Sequence, residues 1–366
     1  MKKNVTQKMV AEAAGVSQMS VALVLGNAAK SPDAQKRVGE ATRQRILRAA
    51  EQLGYRPSRQ AQMLRGGRSG LVGLLKAISY HETNIRLIQA AGAAIQKHDY
   101  RLVTAEIISD SGELSQNLDM MLDLRVEGLL LEGGITPYAR REERFQAAFR
   151  QRGIPVVYLH CPATFETSGY AVDHPTGMAA LVEHLAANGY RTFAYVSLID
   201  ETSRSDADLS RWIDAERLAG FRQGLRRAGI AQADAEVVHA SKKLLHKPDY
   251  ELGHDTATSL LRRKRLPDVI MAHTDPVALG VIGALRQAGI DVPGSIGVTG
   301  FDNTNVGRYS NIPVTTVGYD TEAMAEAAVT RLVDLIEGRT TTAQPSVAFS
   351  CQVVPRRSTR LRRDAE

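Results

Sequence analysis

Short apolar runs alternate with amphipathic segments along most of the chain. Apolar runs bounded by Gly, Pro and polar residues predict β-strands, and apolar positions that recur every three or four residues predict helices. The predicted strands cover residues 71–77, 101–108, 128–131, 155–160, 193–198, 235–240, 268–273 and 296–301. The predicted helices cover residues 85–97, 116–124, 176–188, 250–263 and 276–288. This alternation is typical of parallel sheets with helices on both faces, so the region is predicted to be α/β.

The alternating region is long for one sheet. It spans about 280 residues and about ten strands, which exceeds a comfortable single sheet. We therefore expect two similar, doubly wound α/β lobes.

The first 25 residues carry a different pattern, the spacing of a helix-turn-helix. Ala11 is small where two helices cross, Gly15 supplies the turn, and Ser17 caps the second helix. Four valines occupy the inward positions: Val10, Val16, Val21 and Val24. The early side chains of the second helix point outward, where such a module contacts base edges: Gln18, Met19 and Ser20. The alternative is a plain helical hairpin.

Charge is divided unevenly along the chain. The net charge is +6, but residues 1–70 hold thirteen Lys and Arg against four Asp and Glu. Clustered cations release counterions from phosphates, so a nucleic-acid-binding module joined to an acidic body is expected, against the alternative of a solvated basic surface. A second basic stretch at residues 356–363 either touches DNA or is a frayed terminus.

Composition narrows the class of protein further. Hydrophobic residues make up 43% and charged residues 23%, as in soluble globular proteins. No run of about 18 apolar residues and no signal-peptide pattern is present, which predicts a cytoplasmic protein without membrane association. The two cysteines, Cys161 and Cys351, are expected to be ordinary buried thiols. The spacing of Asp173, His174 and His160 fits no common metal site, so neither metal nor cofactor is expected.

Ordered sequence motifs extend along nearly the whole chain. The N-terminal motifs are Val5-Thr6, Ala14-Gly15-Val16-Ser17, Leu53-Gly54-Tyr55-Arg56-Pro57 and Leu64-Arg65-Gly66-Gly67-Arg68-Ser69. Those of the body include Glu216-Arg217-Leu218-Ala219-Gly220-Phe221 and Gly300-Phe301-Asp302-Asn303. Together they resemble the lactose-repressor (LacI/GalR) family of bacterial transcription regulators. The resemblance implies an all-α helix-turn-helix domain followed by a two-lobed periplasmic-binding-protein-like effector domain. It divides the chain into a DNA-binding domain at 1–56, a hinge helix at 57–69, an effector-binding and dimerisation domain at 70–355 and a basic tail at 356–366.

The resemblance also implies a homodimer that binds a pseudo-palindromic operator in double-stranded DNA. The implied DNA contacts are Thr6, Ser17, Gln18, Met19, Ser20, Asn27, Tyr55, Arg59, Leu64, Arg65 and Arg68. Leu23 and Gly26 depart from the Arg and Asn usual in the family, so the usual half-site code is not expected. In the hinge, an apolar Leu64 among arginines suits a wedge in the minor groove; the alternative is a flexible linker whose Leu64 packs on the body.

For the effector, Arg217 and Asp302 match positions that hydrogen-bond a ligand from opposite sides of the family's cleft. A guanidinium and a carboxylate suit vicinal hydroxyls. The alternatives are a surface pair of Arg217 with Asp214 and a turn-forming role for Asp302.

Five further residues are candidates for the effector site. Asp275 and Asp173 precede helical patterns, so each is expected to be an N-cap whether or not it binds ligand. His160 stands where a family member often has an Asp that touches its sugar. Tyr80 or Trp212 can offer a stacking face to a sugar ring, although such aromatics are more often packed in a core.

The favoured function is a DNA-binding regulator, a repressor, controlled by a sugar or sugar derivative. A nucleobase or nucleoside effector is the alternative within the class. An α/β enzyme and a transport-type binding protein are rivals from other classes. The sequence lacks a Gly-x-Gly-x-x-Gly after a strand, a phosphate-binding Gly-Lys-Ser/Thr loop and a Gly-x-Ser-x-Gly elbow, which argues against an enzyme.

Overall fold

The computed structural model describes most of the chain: residues 5–25, 37–56, 68–77, 81–107, 111–133, 148–149, 151–160, 168–198, 209–239, 249–341 and 346–361. The chain divides into two compact units, Met1–Gly70 and Leu71–Glu366.

The described residues of the first unit form three helices: α1 (Gln7–Ala14), α2 (Gln18–Leu25) and α3 (Glu40–Leu53). The Thr6 side chain accepts a hydrogen bond from the Met9 amide and begins α1, and Gly15, at φ 59°, ends it. The Ser17 hydroxyl accepts from the Ser20 amide at 3.1 Å and begins α2. The turn and cap predicted from the sequence are confirmed.

A small apolar core joins the three helices. Its buried members are Val10, Ala11, Ala14, Val21, Ile46, Ala49 and Ala50. Val16 and Val24 pack against this core from partly buried positions, so the four predicted inward valines all contribute. No single helix in the described ranges is long and apolar enough to cross a membrane; α1 and α2 pass that test only as a pair bent by 109°.

The second unit has two lobes built around parallel sheets. The described elements of the first lobe are β1 (Leu71–Ala77), α4 (Glu82–Lys97), β2 (Arg101–Ile107), α5 (Ser111–Asp123), β3 (Gly128–Glu132), β4 (Val156–Leu159), β5 (Ser168–Val172), α11 (Thr321–Ile336) and β11 (Val347–Phe349). Its strands form a six-stranded sheet in the order β11-β5-β4-β3-β1-β2.

The described elements of the second lobe are α6 (His174–Ala187), β6 (Phe193–Ser197), α7 (Leu209–Arg227), β7 (Ala235–His239), α8 (Asp249–Leu260), β8 (Val269–Met271), α9 (Asp275–Gln287), β9 (Gly297–Thr299) and α10 (Asn305–Arg308). Its strands form a four-stranded sheet in the order β7-β6-β8-β9.

A two-stranded antiparallel ribbon of β10 (Thr316–Tyr319) and β12 (Cys351–Val354) lies beside the lobe junction. The chain passes between lobes three times, from β5 into α6, from β10 into α11, and from β11 into β12. The central strands β3, β5 and β6 are buried along their whole length, as parallel sheets covered on both faces require. The doubly wound two-lobed fold predicted from the sequence is confirmed.

The C-terminal segment differs from the expected frayed tail. Ser358 is fully buried; its amide donates to the Pro313 carbonyl and its hydroxyl to the Val298 carbonyl. Thr359 is buried beside Thr315, and the Arg360 amide donates to the Tyr190 hydroxyl. Residues 356–360 therefore extend the second lobe beyond β9, because Ser and Thr at this position satisfy buried backbone groups.

Helices α8 and α9 pack closely through glycines. A Cβ added at Gly280 would collide with the backbone carbonyl of Tyr250, whereas one added at Gly283 on the same helix meets nothing within 4 Å. Gly280 thus permits the close approach of the two helices.

We expect Gly280→Ala to lower the free energy of unfolding by about 1 to 3 kcal/mol, because two backbones must move apart. Gly283→Ala is the matched control and should be neutral or stabilising by up to about 1 kcal/mol, since Ala favours a helix interior. Thermal and urea unfolding measure both values. Equal effects of the two variants would contradict a packing role for Gly280.

Candidate functional site

The surface of α2 presents the side chains that the sequence assigned to DNA. Gln18 and Met19 are exposed, Met19 by 70%. Ser20 is half-buried, and its hydroxyl lies 3.0 Å from that of Ser17. Leu23 is half-buried on the same helix. An exposed thioether beside an exposed amide offers one apolar and one bidentate polar contact to a partner.

The other assigned DNA contacts are partly outside the described residues. Thr6 and Arg68 are exposed, and Tyr55 is half-buried against the core of the first unit. Four assigned residues lie outside the described ranges: Asn27, Arg59, Leu64 and Arg65. Thr6 already serves as the cap of α1, so it has a structural role in addition to the one expected.

The second unit brings Arg217 and Asp302 into direct contact. Arg217 on α7 is 2% exposed, and its Nη2 donates to Asp302 Oδ1 at 2.9 Å. Its Nη1 donates to the His273 backbone carbonyl, and its guanidinium carbon lies 3.8 Å from the centre of the Phe301 ring. Both residues belong to the second lobe. The expectation that they face a ligand from opposite sides of the cleft was therefore wrong.

A second buried cluster surrounds Asp214, which lies three residues before Arg217 on α7. Asp214 is fully buried and accepts from the Tyr195 hydroxyl at 2.6 Å and the Ser197 hydroxyl at 2.5 Å, with His273 Nδ1 at 3.1 Å. Burial alone would raise its pKa, but the contacts with His273, Ser197 and Tyr195 lower the pKa of Asp214 to about 2. The alternative of a surface pair between Asp214 and Arg217 is excluded.

Sequence reasoning missed this cluster. Ser197 is the last residue of β6, Tyr195 lies two residues before it, and His273 follows β8, which pairs with β6. The carboxyl ends of adjacent parallel strands meet at one edge, which is where α/β folds gather polar groups. Polar residues at the ends of two predicted strands were thus the available signal.

Two histidines from different lobes meet beside the ion pair. His160 follows β4 in the first lobe at φ 60°, and His174 is the first residue of α6 in the second. Their ring centres are 6.2 Å apart. His160 Nε2 lies 3.4 Å from the Tyr319 hydroxyl, and the Arg217 Nε donates to His174 Nδ1 at 3.4 Å. Both lobes therefore contribute to one site.

The remaining ring nitrogen of each histidine is enclosed by protein atoms. His160 Nδ1 and His174 Nε2 are buried and have no hydrogen-bond partner among the described residues. Burial lowers the pKa of His160 to about 4, and burial together with Arg217 holds the pKa of His174 well below 6.5. Both imidazoles are consequently neutral at pH 7. The Trp212 ring packs edge to face against His174, with ring centres 6.0 Å apart.

Asp275, the first residue of α9, is fully buried. Thr274 is the N-cap of α9, accepting from the Val277 amide, so the expectation that Asp275 caps this helix was wrong. Asp275 instead accepts at Oδ2 from the amide and hydroxyl of Thr304, at 2.7 and 2.9 Å. Burial raises its pKa to about 7.

The remaining predictions concern Asp173, Tyr80, the two cysteines and a metal site. Asp173 caps α6, its Oδ1 accepting from the Thr176 amide at 3.1 Å, as expected. Tyr80 and Cys161 lie outside the described ranges. Cys351 is half-buried rather than buried, and desolvation raises its pKa to about 12. Within the described part of the chain no three His, Cys, Asp or Glu side chains form a metal-binding group.

The start of α4 contacts the second lobe beside the cleft. His81 Nδ1 lies 3.5 Å from Asp249, and both carboxylate oxygens of Glu82 accept from the Asn305 amide at 2.9 Å. Arg86 also reaches the Asn303 carbonyl at 3.5 Å. The sequence carried no signal for these contacts, because they join residues more than 160 positions apart.

Comparison with known families agrees with this architecture. Residues 6–58 match the model of the bacterial regulatory proteins of the lacI family, and residues 182–359 match that of the periplasmic binding protein-like domain. Among curated proteins, the chain is 25% identical to the HTH-type transcriptional repressor PurR of Actinobacillus pleuropneumoniae serotype 3, covering 97% of this chain and 98% of PurR. It is 28% identical to the HTH-type transcriptional regulator GalR of Escherichia coli, covering 91% and 90%.

Solved structures support the fold. The lac repressor dimer bound to operator and the anti-inducer ONPF is 24% identical, with a TM-score of 0.79 over 98% of this chain and 99% of that one. A LacI-family regulator from Enterococcus faecium with bound ribose is 18% identical, with a TM-score of 0.65 over 79% and 98%.

A helix-turn-helix unit joined to a two-lobed binding domain defines a DNA-binding transcription regulator. The chain belongs to the lactose-repressor (LacI/GalR) family of transcriptional repressors, as its motifs indicated.

The raised pKa of Asp275 predicts a specific pH dependence of stability. The folded state retains a proton that the unfolded state releases between pH 3.8 and about 7, so the contribution of Asp275 to stability falls as pH rises through this window. Asp275→Asn removes that titration. Its free energy of unfolding relative to the original protein should therefore rise from pH 4 to about 7 and level off above it. Stability curves that run parallel in urea unfolding at pH 5, 6, 7 and 8 would refute the shift.

Proposed function

We propose that this regulator binds a pseudo-palindromic operator as a homodimer and that a small neutral ligand in the interlobe cleft, a sugar or sugar derivative, controls that binding. The observation that carries the proposal is the buried site at which His160 of one lobe meets Arg217, Asp302 and His174 of the other. Such a site can respond to a ligand only by changing how the two lobes are held together. The proposed role is regulatory. The proposed location is the cytoplasm, because that is where the protein can bind the chromosome.

The charge balance of the cleft favours a neutral ligand. Arg217 is paired with Asp302, and His160 and His174 are uncharged near pH 7. Asp214 adds a buried carboxylate below the pair. Among the described residues of this site, an anionic ligand would meet only cations that are already compensated, so its desolvation would not be offset.

A hydroxyl-rich ring suits the available groups better than a flat base. The Asp302 carboxylate only accepts hydrogen bonds, while a sugar supplies both donors and acceptors around one ring. Trp212 can cover the apolar face of that ring. A structural relative is described with bound ribose, and two sequence relatives are the transcriptional repressors PurR and CytR. Nucleobases and nucleosides are the alternative ligands within this class.

The first unit is proposed to read DNA through α2. Gln18 can pair with adenine and Met19 can contact a thymine methyl group. The net +9 of residues 1–70 supplies the phosphate contacts. We assign DNA binding to residues 1–56 and a hinge helix to 57–69, with Leu64 as a minor-groove wedge flanked by Arg59, Arg65 and Arg68.

An exposed apolar surface of the second unit is the proposed dimer contact. Tyr309 is 74% exposed, and three further apolar residues near the contact between Glu82 and Asn305 are 42 to 48% exposed: Ile85, Tyr250 and Val306. Adjacent exposed apolar side chains of this size mark interaction surfaces. A two-fold dimer carries two recognition helices, one for each half-site of a pseudo-palindrome.

The test of DNA recognition is selection of full-length protein against random duplexes. We expect enrichment of an inverted repeat, and relaxed preference at one position in each half-site for Gln18→Ala. Tyr309→Asp should weaken the dimer in light scattering and lower operator affinity. Recovery of a direct or single site, or of no site, would exclude the proposal.

Control by the cleft predicts a ligand effect that depends on Asp302. Ligand and operator should alter each other's affinity by the same factor, corresponding to about 1 to 3 kcal/mol. Asp302→Asn keeps an acceptor for Arg217 but lacks the carboxylate, so the ligand should no longer shift operator affinity. Titration of operator with and without ligand, each protein serving as its own reference, measures this. An equal shift in both proteins would place the control elsewhere.

A further inference from the structure

We propose that the second unit carries a surface that binds the phosphate backbone of duplex DNA, in addition to the helix-turn-helix of the first unit. This surface, the basic edge, consists of six exposed cations at or beside the amino ends of the second-lobe strands: Arg191, Arg262, Arg263, Lys264, Arg265 and Arg360. The inference goes beyond the proposed function, because neither operator recognition by α2 nor ligand binding in the cleft uses these residues.

The four strands of the second lobe begin side by side. Phe193 of β6 pairs with Ala235 of β7 and with Val269 of β8. Val269 pairs in turn with Gly297 of β9. Parallel neighbours are about 4.8 Å apart, so the four strand starts form a row about 14 Å wide. A row of this width spans several phosphates of a duplex, which carries one charge per about 1.7 Å of its axis.

Described contacts hold the cationic segments of the basic edge together. The carboxylate of Asp268, which ends the loop before β8, accepts from the Arg191 and Thr192 amides at 2.8 and 2.9 Å. The Arg360 amide donates to the Tyr190 hydroxyl at 2.8 Å, and its guanidinium carbon lies 4.9 Å from the centre of that ring. The loop before β6, the loop before β8 and the C-terminal segment are therefore neighbours at one edge of the sheet.

Much of the positive charge of this edge is uncompensated. Glu236 pairs with Arg263, and Asp268 is occupied by backbone amides. The other three side chains of the run 262–265 form no ion pair or hydrogen bond within the described part of the chain. Like charges on consecutive residues repel one another, so such a run disfavours the folded state until a polyanion neutralises it.

Compensation of helix dipoles does not account for the run 262–265. Cations in the last turn of a helix stabilise it, and the effect falls off within that turn. Arg226 and Arg227 at the end of α7 and Arg286 at the end of α9 fit this role. Helix α8 ends at Leu260 without a cation in its last turn, and the run follows the helix. The run therefore needs a different explanation.

The chemistry of the basic edge favours duplex DNA over a protein or a single strand. Protein interfaces depend on aromatic and apolar anchors, and Leu361 is the one exposed large hydrophobic residue among those described that adjoins the edge in the chain. Single strands stack their bases on exposed aromatic rings, whereas Tyr190 is fully buried. Five of the six cations are arginines, whose guanidinium groups suit phosphate oxygens. A DNA-binding regulator also meets duplex DNA at a high effective concentration.

The test is a fluorescence-anisotropy titration of the full-length protein with a labelled random-sequence duplex of about 30 base pairs, at several salt concentrations. The edge variant R262Q/R265Q removes two exposed charges and leaves the pair of Arg263 with Glu236 intact. The control R222Q/R357Q removes two exposed cations of the same unit that lie outside the edge. The variant R262K/R265K keeps the charge of the edge.

The edge variant should lose part of the salt dependence of binding. Each phosphate contact contributes about 0.9 to the slope of log affinity against log salt, so we expect a slope flatter by about 1 to 2. Affinity at low salt should fall about five- to tenfold, while the control stays within about twofold and the lysine variant within about threefold. Arg360→Gln, on a separate segment of the edge, should flatten the slope by about 1. It tests the same surface if the double variant has a lowered melting temperature.

A capture experiment tests for two simultaneous duplexes. Protein held on an immobilised random duplex should capture a second, labelled duplex, and the edge variant should lose this capture while the control retains it. Light scattering without DNA should give the same oligomeric state for all variants.

Four results would overturn the inference: an unchanged salt slope in the edge variant, an equal loss in the control, an equal loss in the lysine variant, or an oligomeric state that changes with the edge. The last result would assign the edge to a protein partner. Operator recognition by α2 is measured separately, by selection from random duplexes, and is unaffected by these outcomes.

Discussion

The buried ion pair between Arg217 and Asp302 organises the second-lobe side of the interlobe cleft. A guanidinium that is 2% exposed is tolerated only when its charge is compensated and its donors are occupied. Arg217 meets this condition with contacts to His174, His273 and Asp302, which come from the starts or ends of three different elements. One side chain on α7 therefore fixes the relative positions of α6 and the strand ends around it. Asp214 attaches the same helix to β6, because its carboxylate accepts hydrogen bonds from the Tyr195 and Ser197 hydroxyls.

Backbone strain is concentrated at this site. His160, Asp302 and Asn303 have φ values of 60°, 93° and 49°, a region that side chains other than glycine rarely adopt. Such conformations cost about 1 to 3 kcal/mol each and persist only when neighbouring contacts enforce them. Here the Asp302 amide donates to the Val317 carbonyl and the Asn303 amide to the Thr316 hydroxyl. Arg356 of the C-terminal segment donates to the Asn303 side chain. The C-terminal segment thus helps to hold a strained turn beside the Arg217 ion pair.

Much of the fold could be predicted because its main elements have strong local patterns. Strand β1 was predicted with its observed bounds, and Gly15 and Ser17 identified the turn of the helix-turn-helix. The short strands β5, β10, β11 and β12 were not predicted, because three to five residues with few apolar neighbours carry little periodicity. Within the site, Arg217 and Asp302 could be identified from motifs, but their direct contact could not. That contact, the Asp214 cluster and the cap at Thr274 depend on tertiary packing between distant segments.

The three passages between the lobes have a mechanical consequence. Each leaves a single residue between its flanking elements: Asp173, Asp320 and Ser350. Three such short connections leave little length for one lobe to slide along the other, so a rotation about the connections is the motion they restrict least. A ligand in the cleft would therefore act on one quantity, the angle between the two lobes. A repressor built this way distinguishes ligands by whether they stabilise that angle, and two chemically different molecules that stabilise it equally would produce the same transcriptional response.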